Sequence, residues 1–515
     1  MNRDASLLAL DRAPAPWDIC VIGGGATGLG TALDAVTRGY RTILVERHDF
    51  AKATSSRSTK LIHGGVRYLR QGRISLVLEA LRERGLLCLN APHLVRSLEF
   101  IIPAHAAWET PFYAAGLKFY DLLAGQLGLA PSRVLSPAEV LARLPGLNPA
   151  GLRHGISYSD AQFDDARLAL TLALTVADHG GIVLNYASVV SLLKRSGKTA
   201  GVRIRDEETG LERDIPARTV INATGVFTDA IRRLDEPTAP PVIAASQGAH
   251  LVLPLDCLGS SSALMIPRTS DGRILFAIPW HDRLILGTTD NLVRDITAEP
   301  RPMAAEIDFI LSTAARFLAS PPGRSQILSA YVGLRPLIRT RPVRRSASIS
   351  REHAILTSGS GLVTIAGGKW TTYRKMAQDT VCQAEISAGL PRRRCRTASF
   401  PLHGWAETPS SPHDPLSIYG SDAIGIASLG QPTPIHPRLP YTAAQVIWSV
   451  RDEMARTVED VLARRTRALL LDAAASIEAA PAVARLMAAE LNRDENWIAA
   501  QISSYTELAR GYLPV

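Results

Sequence analysis

A glycine-rich turn, Gly23-Gly-Gly-Ala-Thr-Gly28, has the spacing G-x-G-x-x-G. In such a turn Gly23 permits the tight bend, Gly25 lets a pyrophosphate approach the backbone, and Gly28 lets the following helix pack closely on the sheet. The amides at the helix N-terminus then face the phosphates. Glu46 follows near the expected spacing of about 20 residues, where a carboxylate accepts hydrogen bonds from a ribose without a 2′-phosphate. The pattern predicts a dinucleotide site.

The chain has a single fingerprint of this kind, which favours FAD over a nicotinamide cofactor. An enzyme that used a flavin and NAD(P)H together would need two nucleotide sites, so we expect the substrate to reduce the flavin directly. Two further segments fit FAD: TVINATG at 219–225, a strand ending in a small-residue turn, and GGKWTT at 367–372, a glycine turn leading into a helix. Each alone is equally consistent with an ordinary strand exit, whereas the two together support a flavin site.

The elements around the glycine turn form a βαβ unit. Trp17–Ile22 predicts a buried strand, 26–38 has helical spacing, and Thr42–Val45 predicts a second strand. A helix is predicted over 74–90. Short apolar runs separated by turn residues predict an antiparallel sheet that faces the substrate; they lie at 251–253, 274–278 and 284–286.

The C-terminal part differs in pattern from the rest. Residues 401–440 are rich in Pro, Ser, Gly and His, which predicts a linker. Beyond it, Thr442 and Gln445 form a capping-box pattern ahead of apolar residues that share one helical face: Val446, Val450, Met454, Val458 and Val461. We therefore predict an α/β fold with a Rossmann-type FAD-binding domain, an antiparallel-sheet substrate domain and an all-helical C-terminal domain. The expected boundaries are 17–105, 155–235 and 330–398 for a discontinuous FAD-binding domain, 106–154 and 236–329 for the substrate-binding cap, 399–440 for the linker and 441–515 for the helical domain.

The charge balance favours anionic partners. The 57 Lys and Arg residues outnumber the 48 Asp and Glu residues, for a net charge of +9. Such a surface suits phosphorylated substrates, acidic lipid headgroups or nucleic acid. Nucleic acid is not expected, because aromatic residues are 6% of the chain and the longest basic run, at 392–394, is short. The cysteines form no C-x-x-C pair, and no metal-ligand spacing is found, so we expect reduced thiols and no metal.

No membrane-crossing or exported segment is predicted. The N-terminal segment 1–18 carries acidic residues and prolines where a signal peptide would have an apolar core. No run approaches the roughly 18 apolar residues of a spanning helix, so the protein would meet a membrane only at its surface. Segment 112–129 is apolar with few charges. It is either an element that dips into the membrane or a buried helix, and the buried helix is the preferred interpretation.

Segment 53–69, ATSSRSTKLIHGGVRYL, resembles the segment that follows the ribose carboxylate in the FAD-dependent, quinone-linked glycerol-3-phosphate dehydrogenase family. Further motifs resemble that family in its own order: YSD at 158–160, DDAR at 164–167, GAH at 248–250, IPW at 278–280, GTTD at 287–290, GLRP at 333–336, SR at 350–351 and GKWTTYR at 368–374. The resemblance runs from about Trp17 to Arg374 and resumes near Tyr441, with 451–465 similar to the family's helical domain.

The resemblance implies that sn-glycerol 3-phosphate is oxidised to dihydroxyacetone phosphate by hydride transfer to FAD. Electrons would then pass to a membrane quinone at the cytoplasmic face of the inner membrane, with docking on an anionic membrane surface. By family position, Arg335 and Arg351 would cradle the phosphate, with Arg67 in the same pocket, because guanidinium forks suit phosphate oxygens. The implied cofactor-binding residues are Gly23, Gly25, Gly28, Glu46, Thr54, Ser55, Ser56, Lys60, His63, Thr224, Gly225, Gly368, Lys369, Thr371 and Thr372.

The implied catalytic residues are His250, Lys369 and Arg335. His250 would take the hydroxyl proton, because the pKa of a histidine lies near the working pH. Lys369, with Thr371 and Thr372, would stabilise the negative charge that hydride transfer places on the flavin. The family usually has Lys and Ser where this chain has Gln247 and Ala249, so the hydrogen bonds around the base are expected to differ.

Other functions stay open from the sequence. The nearest alternative is a glycerol-3-phosphate oxidase of the same fold that hands its electrons to oxygen, and a different glycerol-like or amine substrate is another. A flavin-containing RNA-binding protein is the alternative from a different class, and it is disfavoured by the scarcity of aromatic and basic clusters. A homodimer is kept as a candidate assembly.

Overall fold

The computed structural model describes residues 1–12, 16–69, 71–269, 272–339, 352–406 and 414–514. The strands are β1 (Trp17–Ile22), β2 (Thr42–Val45), β3 (Leu61–Ile62), β4 (Val95–Ala104), β5 (Arg133–Leu135), β6 (His154–Phe163), β7 (Ile182–Leu184), β8 (Ala187–Arg195), β9 (Lys198–Asp206), β10 (Glu212–Asn222), β11 (Ile243–Pro254), β12 (Ala263–Ile266), β13 (Leu275–Trp280), β14 (Arg283–Gly287), β15 (Asn291–Val293), β16 (Ser329–Ile338), β17 (His353–Thr357) and β18 (Val363–Gly367). The α-helices are α1 (Arg3–Asp11), α2 (Ala26–Thr37), α3 (Val66–Leu69), α4 (Ile74–Asn90), α5 (Glu109–Ala124), α6 (Pro137–Arg143), α7 (Asp165–Asp178), α8 (Thr228–Asp235), α9 (Ala304–Ala314), α10 (Tyr373–Ala388), α11 (Ala423–Ser428), α12 (Ala443–Arg451), α13 (Ala468–Leu471), α14 (Ala473–Leu491) and α15 (Glu495–Arg510).

The first sheet is built around β1, whose residues Ile19, Cys20 and Val21 have no exposed surface. Continuous apolar strands of this kind form parallel sheets that are covered on both faces. β1 pairs in parallel with β10 and β2, in the order β17-β18-β10-β1-β2-β7. α2 leads from β1 to β2 and packs against α7 and α10. The predicted βαβ unit is confirmed.

The second sheet is larger and mostly antiparallel, with the order β15-β11-β14-β13-β12-β4-β6-β3 and with β16 paired to β11. The antiparallel pairing of β11, β14 and β13 confirms the sheet predicted from the short apolar runs. The pairing differs from the predicted domain boundaries at four strands, because β3, β4, β6 and β16 belong to this sheet and not to the cofactor sheet. Pairing between distant segments decides sheet membership, and local sequence patterns do not report it.

The C-terminal helical region begins where the sequence predicts, but its first helix ends earlier than expected. Thr442 and Gln445 form the expected capping box at the start of α12. The helix ends at Arg451, and Met454 adopts a left-handed φ of 56°, so the predicted apolar face does not lie on one helix. The segment 399–440 also departs from a free linker: Ile418 and Tyr419 are buried and pack into the core of the first sheet.

His403 ties that segment to α7. Its Nδ1 lies 2.7 Å from Asp178 and its Nε2 lies 2.7 Å from Asp422. Hydrogen bonding to Asp422 and then to Asp178 raises the pKa of His403 to about 9. The imidazole is therefore a charged clamp at neutral pH.

α5 is not the buried helix that was the preferred interpretation of segment 112–129. Leu117 and Tyr120 are its buried residues. Trp108 just before the helix, together with Phe112, Phe119 and Leu122, is 41–74% exposed. At 100° per residue these four side chains share one face. Among the residues that the structure describes, no helix has the length and apolar character needed to span a bilayer.

Candidate active site

A cavity of about 740 Å³ opens at the carboxyl ends of β1 and β2. Ligands bind at this edge of open parallel sheets. The predicted residues that line it are Gly23, Gly25, Glu46, Thr54, Ser55, Thr224, Gly225, Gly368 and Lys369. Sequence reasoning did not find Ser188, Val189 and Phe227, which also line it and come from strand and turn segments without a motif.

The glycines of the first turn fit a dinucleotide. Gly23 has a φ of 113°, and a Cβ there would lie 2.7 Å from the carbonyl oxygen of Ala223. A Cβ on Gly28 would lie 1.9 Å from the carbonyl oxygen of Gly23, so Gly28 lets the helix approach the turn without itself lining the cavity. Gly25 is the N-cap of α2. The backbone therefore leaves space where a pyrophosphate would meet the helix N-terminus.

Glu46 is fixed at the end of β2 by two backbone amides. Its Oε2 accepts a hydrogen bond from Gly24 at 2.6 Å, and its Oε1 accepts one from His48 at 2.8 Å. Burial raises the pKa of this carboxyl, and the two amides act in the opposite direction. The carboxylate is thus oriented in the cavity wall, where a ribose hydroxyl can bond to it.

A second cavity, of about 300 Å³, adjoins the first. His250, Arg335, His63 and Thr371 line it. The two cavities share five wall residues: Thr54, Pro336, Gly368, Lys369 and Trp370. A cofactor in the larger cavity can therefore face a substrate in the smaller one.

The register between β11 and β16 sets the geometry of the second cavity. Ser246 pairs with Arg335, Gly248 with Gly333, and His250 with Tyr331. Side chains two residues apart on a strand share a face. On this face Gly248 and Gly333 lie between Arg335 and His250, and we call this side-chain-free surface the glycine floor. A Cβ on Gly248 would lie 2.5 Å from the Arg335 guanidinium, which leans across this floor.

Arg335 is held by a loop after β14. Its Nη1 donates to the carbonyl of Thr289 at 3.1 Å, and its Nη2 donates to Oγ1 of Thr288 at 3.1 Å. Asp290 lies 3.4 Å from Nη1. The side chain is 24% exposed, so the guanidinium is oriented and still open to the cavity.

His250 is 2% exposed. Burial lowers its pKa well below the ordinary value, and the charges of Arg335 and Lys60 lower it further. Its Nε2 lies 2.9 Å from Oγ1 of Thr59, and its ring stacks on Tyr331 with centroids 4.7 Å apart. The imidazole is therefore neutral near pH 7, as a proton acceptor must be, although its pKa is lower than the near-neutral value expected for a histidine.

Lys369 lies at the junction of the cavities, with its Nζ 4.2 Å from the centroid of the Tyr68 ring. The Oγ1 atom of Thr371 accepts a hydrogen bond from the backbone amide of His63 at 3.4 Å, which joins the two predicted segments. Thr372 is buried, and its hydroxyl donates to the Lys369 carbonyl at 3.4 Å, so it shapes the turn and does not line either cavity.

Two other predicted cofactor residues lie away from both cavities. Lys60 has no exposed surface, and its Nζ donates to both carboxylate oxygens of Asp165, at 2.9 and 2.7 Å. The resemblance implies a cofactor role for Lys60, but its carboxylate partner Asp165 is 105 residues distant and lies outside the motif. Ser56 is buried and its hydroxyl bonds back to the Ala53 carbonyl. Arg351 and the side chain of Arg67 lie outside the described residues.

Gln247, which stands where the family usually has Lys, takes part in a buried hydrogen-bond network. Its amide donates to Glu306 at 2.7 Å, and Thr289 and Asn291 donate to the same buried carboxylate. Thr289 in turn accepts a hydrogen bond from the amide of Ala249 at 2.8 Å. Gln247 therefore belongs to a network that supports the loop around Arg335.

A loop that contains Ile296, Thr297 and Ala298 forms one wall of the larger cavity. Arg57 donates to the Ala298 carbonyl and to Glu299, each at 2.5 Å. The hydroxyl of Tyr512 donates to the other carboxylate oxygen of Glu299 at 3.0 Å. The C-terminal region thus fastens the cavity wall.

A glycine turn at the end of a parallel sheet, a buried carboxylate beside it and an adjoining cavity with an imidazole and a guanidinium fit an FAD-dependent oxidoreductase. The family model described as FAD dependent oxidoreductase matches residues 18–374, and the model described as the C-terminal domain of alpha-glycerophosphate oxidase matches 362–497. The chain belongs to the FAD-dependent glycerol-3-phosphate dehydrogenase family. In the residues that the structure describes, no cluster of three His, Cys, Asp or Glu side chains could hold a metal.

The relatives are similar over nearly the whole chain. The mitochondrial glycerol-3-phosphate dehydrogenase of Mesocricetus auratus is 41% identical, over 98% of this chain and 75% of its own length. That of Arabidopsis thaliana is 40% identical, over 96% of this chain and 86% of its own length. The glycerol-3-phosphate dehydrogenase from Bacillus halodurans, whose structure was solved with FAD, superposes with a TM-score of 0.80 at 28% identity and covers 99% of this chain and 97% of its own.

Proposed function

We propose that this chain oxidises sn-glycerol 3-phosphate to dihydroxyacetone phosphate, with FAD as the hydride acceptor and a membrane quinone as the final acceptor. The observation that carries the proposal is the pairing of β11 with β16. It places Arg335 and His250 at two ends of a glycine floor, beside a cavity that fits a dinucleotide. A small phosphate ester can bind there with its anion at the arginine and its alcohol at the histidine.

Arg335 is the residue to which we assign the phosphate. The loop that holds its Nη atoms fixes the plane of the guanidinium, and a fixed fork binds phosphate oxygens better than a point charge. By family position, Arg67 and Arg351 complete the phosphate site. The positive charge of Arg335 also contributes to the lowered pKa of His250.

His250 is the general base in this proposal. Its Nε2 takes the proton of the substrate hydroxyl, and the Thr59 hydroxyl, which also lines the cavity, lies 2.9 Å from that atom. A hydroxyl both donates and accepts, so a proton can reach Nε2 from the cavity through Thr59. The neutral state of the imidazole keeps the base ready at pH 7.

Lys369 stabilises negative charge at the junction of the cavities. FAD, when bound, supplies the hydride acceptor. The backbone turn at Gly368 and the ammonium of Lys369 lie in the wall that both cavities share. A cation at that point favours the reduced, more negative cofactor.

The direct test is anaerobic mixing of the purified flavoprotein with sn-glycerol 3-phosphate. We expect the flavin absorbance to bleach with glycerol 3-phosphate and not with glycerol at the same concentration. A flavoprotein that stays oxidised in the presence of glycerol 3-phosphate would contradict the proposed substrate and leave the FAD assignment in place.

The exposed face of α5 supports the proposed membrane partner. One basic residue, Arg268, lies beside this face, with its guanidinium 5.7 Å from the Trp108 ring centroid. Aromatic rings with neighbouring basic groups suit the interface of an anionic bilayer. We propose that this helix holds the protein at a membrane surface, and the cytoplasmic face of the inner membrane is the location that the family resemblance implies.

Sedimentation with vesicles that contain anionic lipid tests this face. We expect Phe112→Ser combined with Phe119→Ser to reduce vesicle binding at least fivefold. Ile424→Ser is the matched control, because Ile424 is 76% exposed on α11 and lies outside this face. Equal binding by all three proteins would contradict the assignment.

The quinone acceptor is tested by reoxidation of the reduced enzyme. We expect a soluble quinone to reoxidise it at least tenfold faster than air-saturated buffer does. Stoichiometric peroxide during aerobic turnover would instead identify an oxidase. Light scattering after size-exclusion chromatography tests the proposed homodimer.

A further inference from the structure

A fully buried ion cluster joins the C-terminal helices to segment 56–60, whose residues Arg57, Ser58 and Thr59 line the smaller cavity. Arg467, at the start of α13, is 1% exposed and has a left-handed φ of 64°. Its Nη2 donates to Oδ1 of Asp165 at 2.9 Å and to the carbonyl of Ser56 at 2.7 Å. Lys60 donates to the same carbonyl, at 2.8 Å, and to the same carboxylate. The C-terminal helices therefore reach the backbone of segment 56–60.

Segment 56–60 is held at several points by this cluster. Besides the carbonyl of Ser56, the amide of Ser58 donates to Oδ2 of Asp165 at 2.9 Å. Lys60 itself adopts a left-handed φ of 61°, which turns its side chain back under the segment. A short stretch whose carbonyl, amide and side chain are all bonded to buried charges has little freedom to move.

The same segment holds His250 on two sides. The Thr59 hydroxyl lies 2.9 Å from Nε2 of His250. The Ser58 carbonyl accepts a hydrogen bond from the Tyr331 hydroxyl at 3.0 Å, and the Tyr331 ring stacks on the imidazole at an interplanar angle of 9°. The plane of the imidazole and the direction of its Nε2 atom are therefore set by a segment that Arg467 anchors.

We infer that Arg467 and Asp165 are positioning residues for the oxidation, which act on His250 through Thr59 and Tyr331. The C-terminal helices would thus contribute to hydride transfer itself, without contacting substrate or cofactor. This inference rests on the proposed role of His250. It gives the buried Lys60 a place in the same chain of contacts, beneath the rings of Tyr331 and Trp280.

The test measures the rate of flavin bleaching at saturating glycerol 3-phosphate, per bound flavin, in stopped flow. We expect Arg467→Met to bleach at least tenfold more slowly than the wild type, because a general base contributes about 10²–10⁴-fold and depends on its orientation. The apparent dissociation constant for the substrate should change less than threefold, because the contacts of Arg335 are separate. Thr59→Val should also slow bleaching at least tenfold, because it removes the hydroxyl that lies beside Nε2 of His250.

Arg465→Met is the matched control. Arg465 is also 1% exposed and paired with a buried carboxylate, that of Asp49, but it makes no hydrogen bond to segment 56–60. We expect it to lower the Tm as much as Arg467→Met does, while its bleaching rate stays within twofold of the wild type. Equal rates for Arg467→Met and Arg465→Met would overturn the inference.

Arg467→Lys covers the case in which Arg467→Met does not fold. The lysine keeps the charge but loses the planar fork, so we expect an intermediate rate, about threefold slower than the wild type. A wild-type rate in this variant, or in Thr59→Val, would also overturn the inference. A wild type that fails to bleach would instead refute the proposed function.

Discussion

Arg335→Met tests the phosphate assignment most directly. The guanidinium is fixed by Thr288 and Thr289 and is 24% exposed, so it can offer two charge-assisted hydrogen bonds to a phosphate. Each such bond contributes about 1.5–3 kcal/mol. Partial exposure reduces the total, and we take about 3 kcal/mol for the loss of both.

A loss of about 3 kcal/mol corresponds to a rise of roughly 150-fold in the dissociation constant. The assay is an anaerobic titration of flavin bleaching with sn-glycerol 3-phosphate. The affinity for inorganic phosphate, measured as a competitive inhibitor, should fall by a similar factor, since it shares the anion with the substrate and lacks the alcohol. Arg335→Lys keeps the charge without the fork and should weaken substrate binding only about tenfold.

Two controls separate a binding effect from a folding effect. The flavin absorbance and the Tm of Arg335→Met should match those of the wild type, and its bleaching rate at saturating substrate should fall far less than its affinity. A dissociation constant within threefold of the wild type would refute the reasoning. A fall in the saturated rate without a change in affinity would refute it as well.

Three further predictions concern the base, the turn and the histidine clamp. His250→Asn should slow bleaching at saturating substrate by about 10²-fold or more with little change in affinity, and a rate within threefold of the wild type would exclude it as the base. Gly28→Ala should abolish FAD retention on purification, because the added Cβ would lie 1.9 Å from a carbonyl oxygen, whereas Gly116→Ala on α5 meets nothing within 4 Å and should stay yellow. His403 has a raised pKa of about 9, so its contribution to stability is complete below the unfolded pKa of about 6.5 and is lost as the pH rises through 9. The Tm difference between wild type and His403→Gln, about 2 °C for about 2 kcal/mol after allowance for partial exposure, should therefore vanish above pH 9, and a constant difference would contradict the clamp.

The sequence predicts the local parts of this molecule well. The glycine turn, β1, α2 and β2 lie within one continuous segment, so spacing alone locates Gly23, Gly25 and Glu46 in the cavity wall. Motif resemblance also selects His250 and Arg335, which the structure brings together in one cavity.

The remaining parts depend on contacts between distant segments. The sequence does not single out Thr59 or Tyr331. The pairing of β11 with β16 places Tyr331 beside His250, and the contact of Thr59 with His250 joins segments 191 residues apart. Lys60 was assigned to the cofactor because its buried partner Asp165 is invisible in the local pattern. The sequence left both an exposed and a buried α5 open, and the preferred buried helix was wrong because an apolar stretch looks alike whether it is covered or not.

The loop fastened by Arg57 and Tyr512 has a consequence for biosynthesis. At about 5–20 residues per second, translation reaches Tyr512 tens of seconds after the glycine turn has emerged from the ribosome. During that interval the loop around Ala298 lacks the hydrogen bond that Tyr512 donates to Glu299. The contact between the C-terminal region and the cavity wall is therefore among the last to form during synthesis.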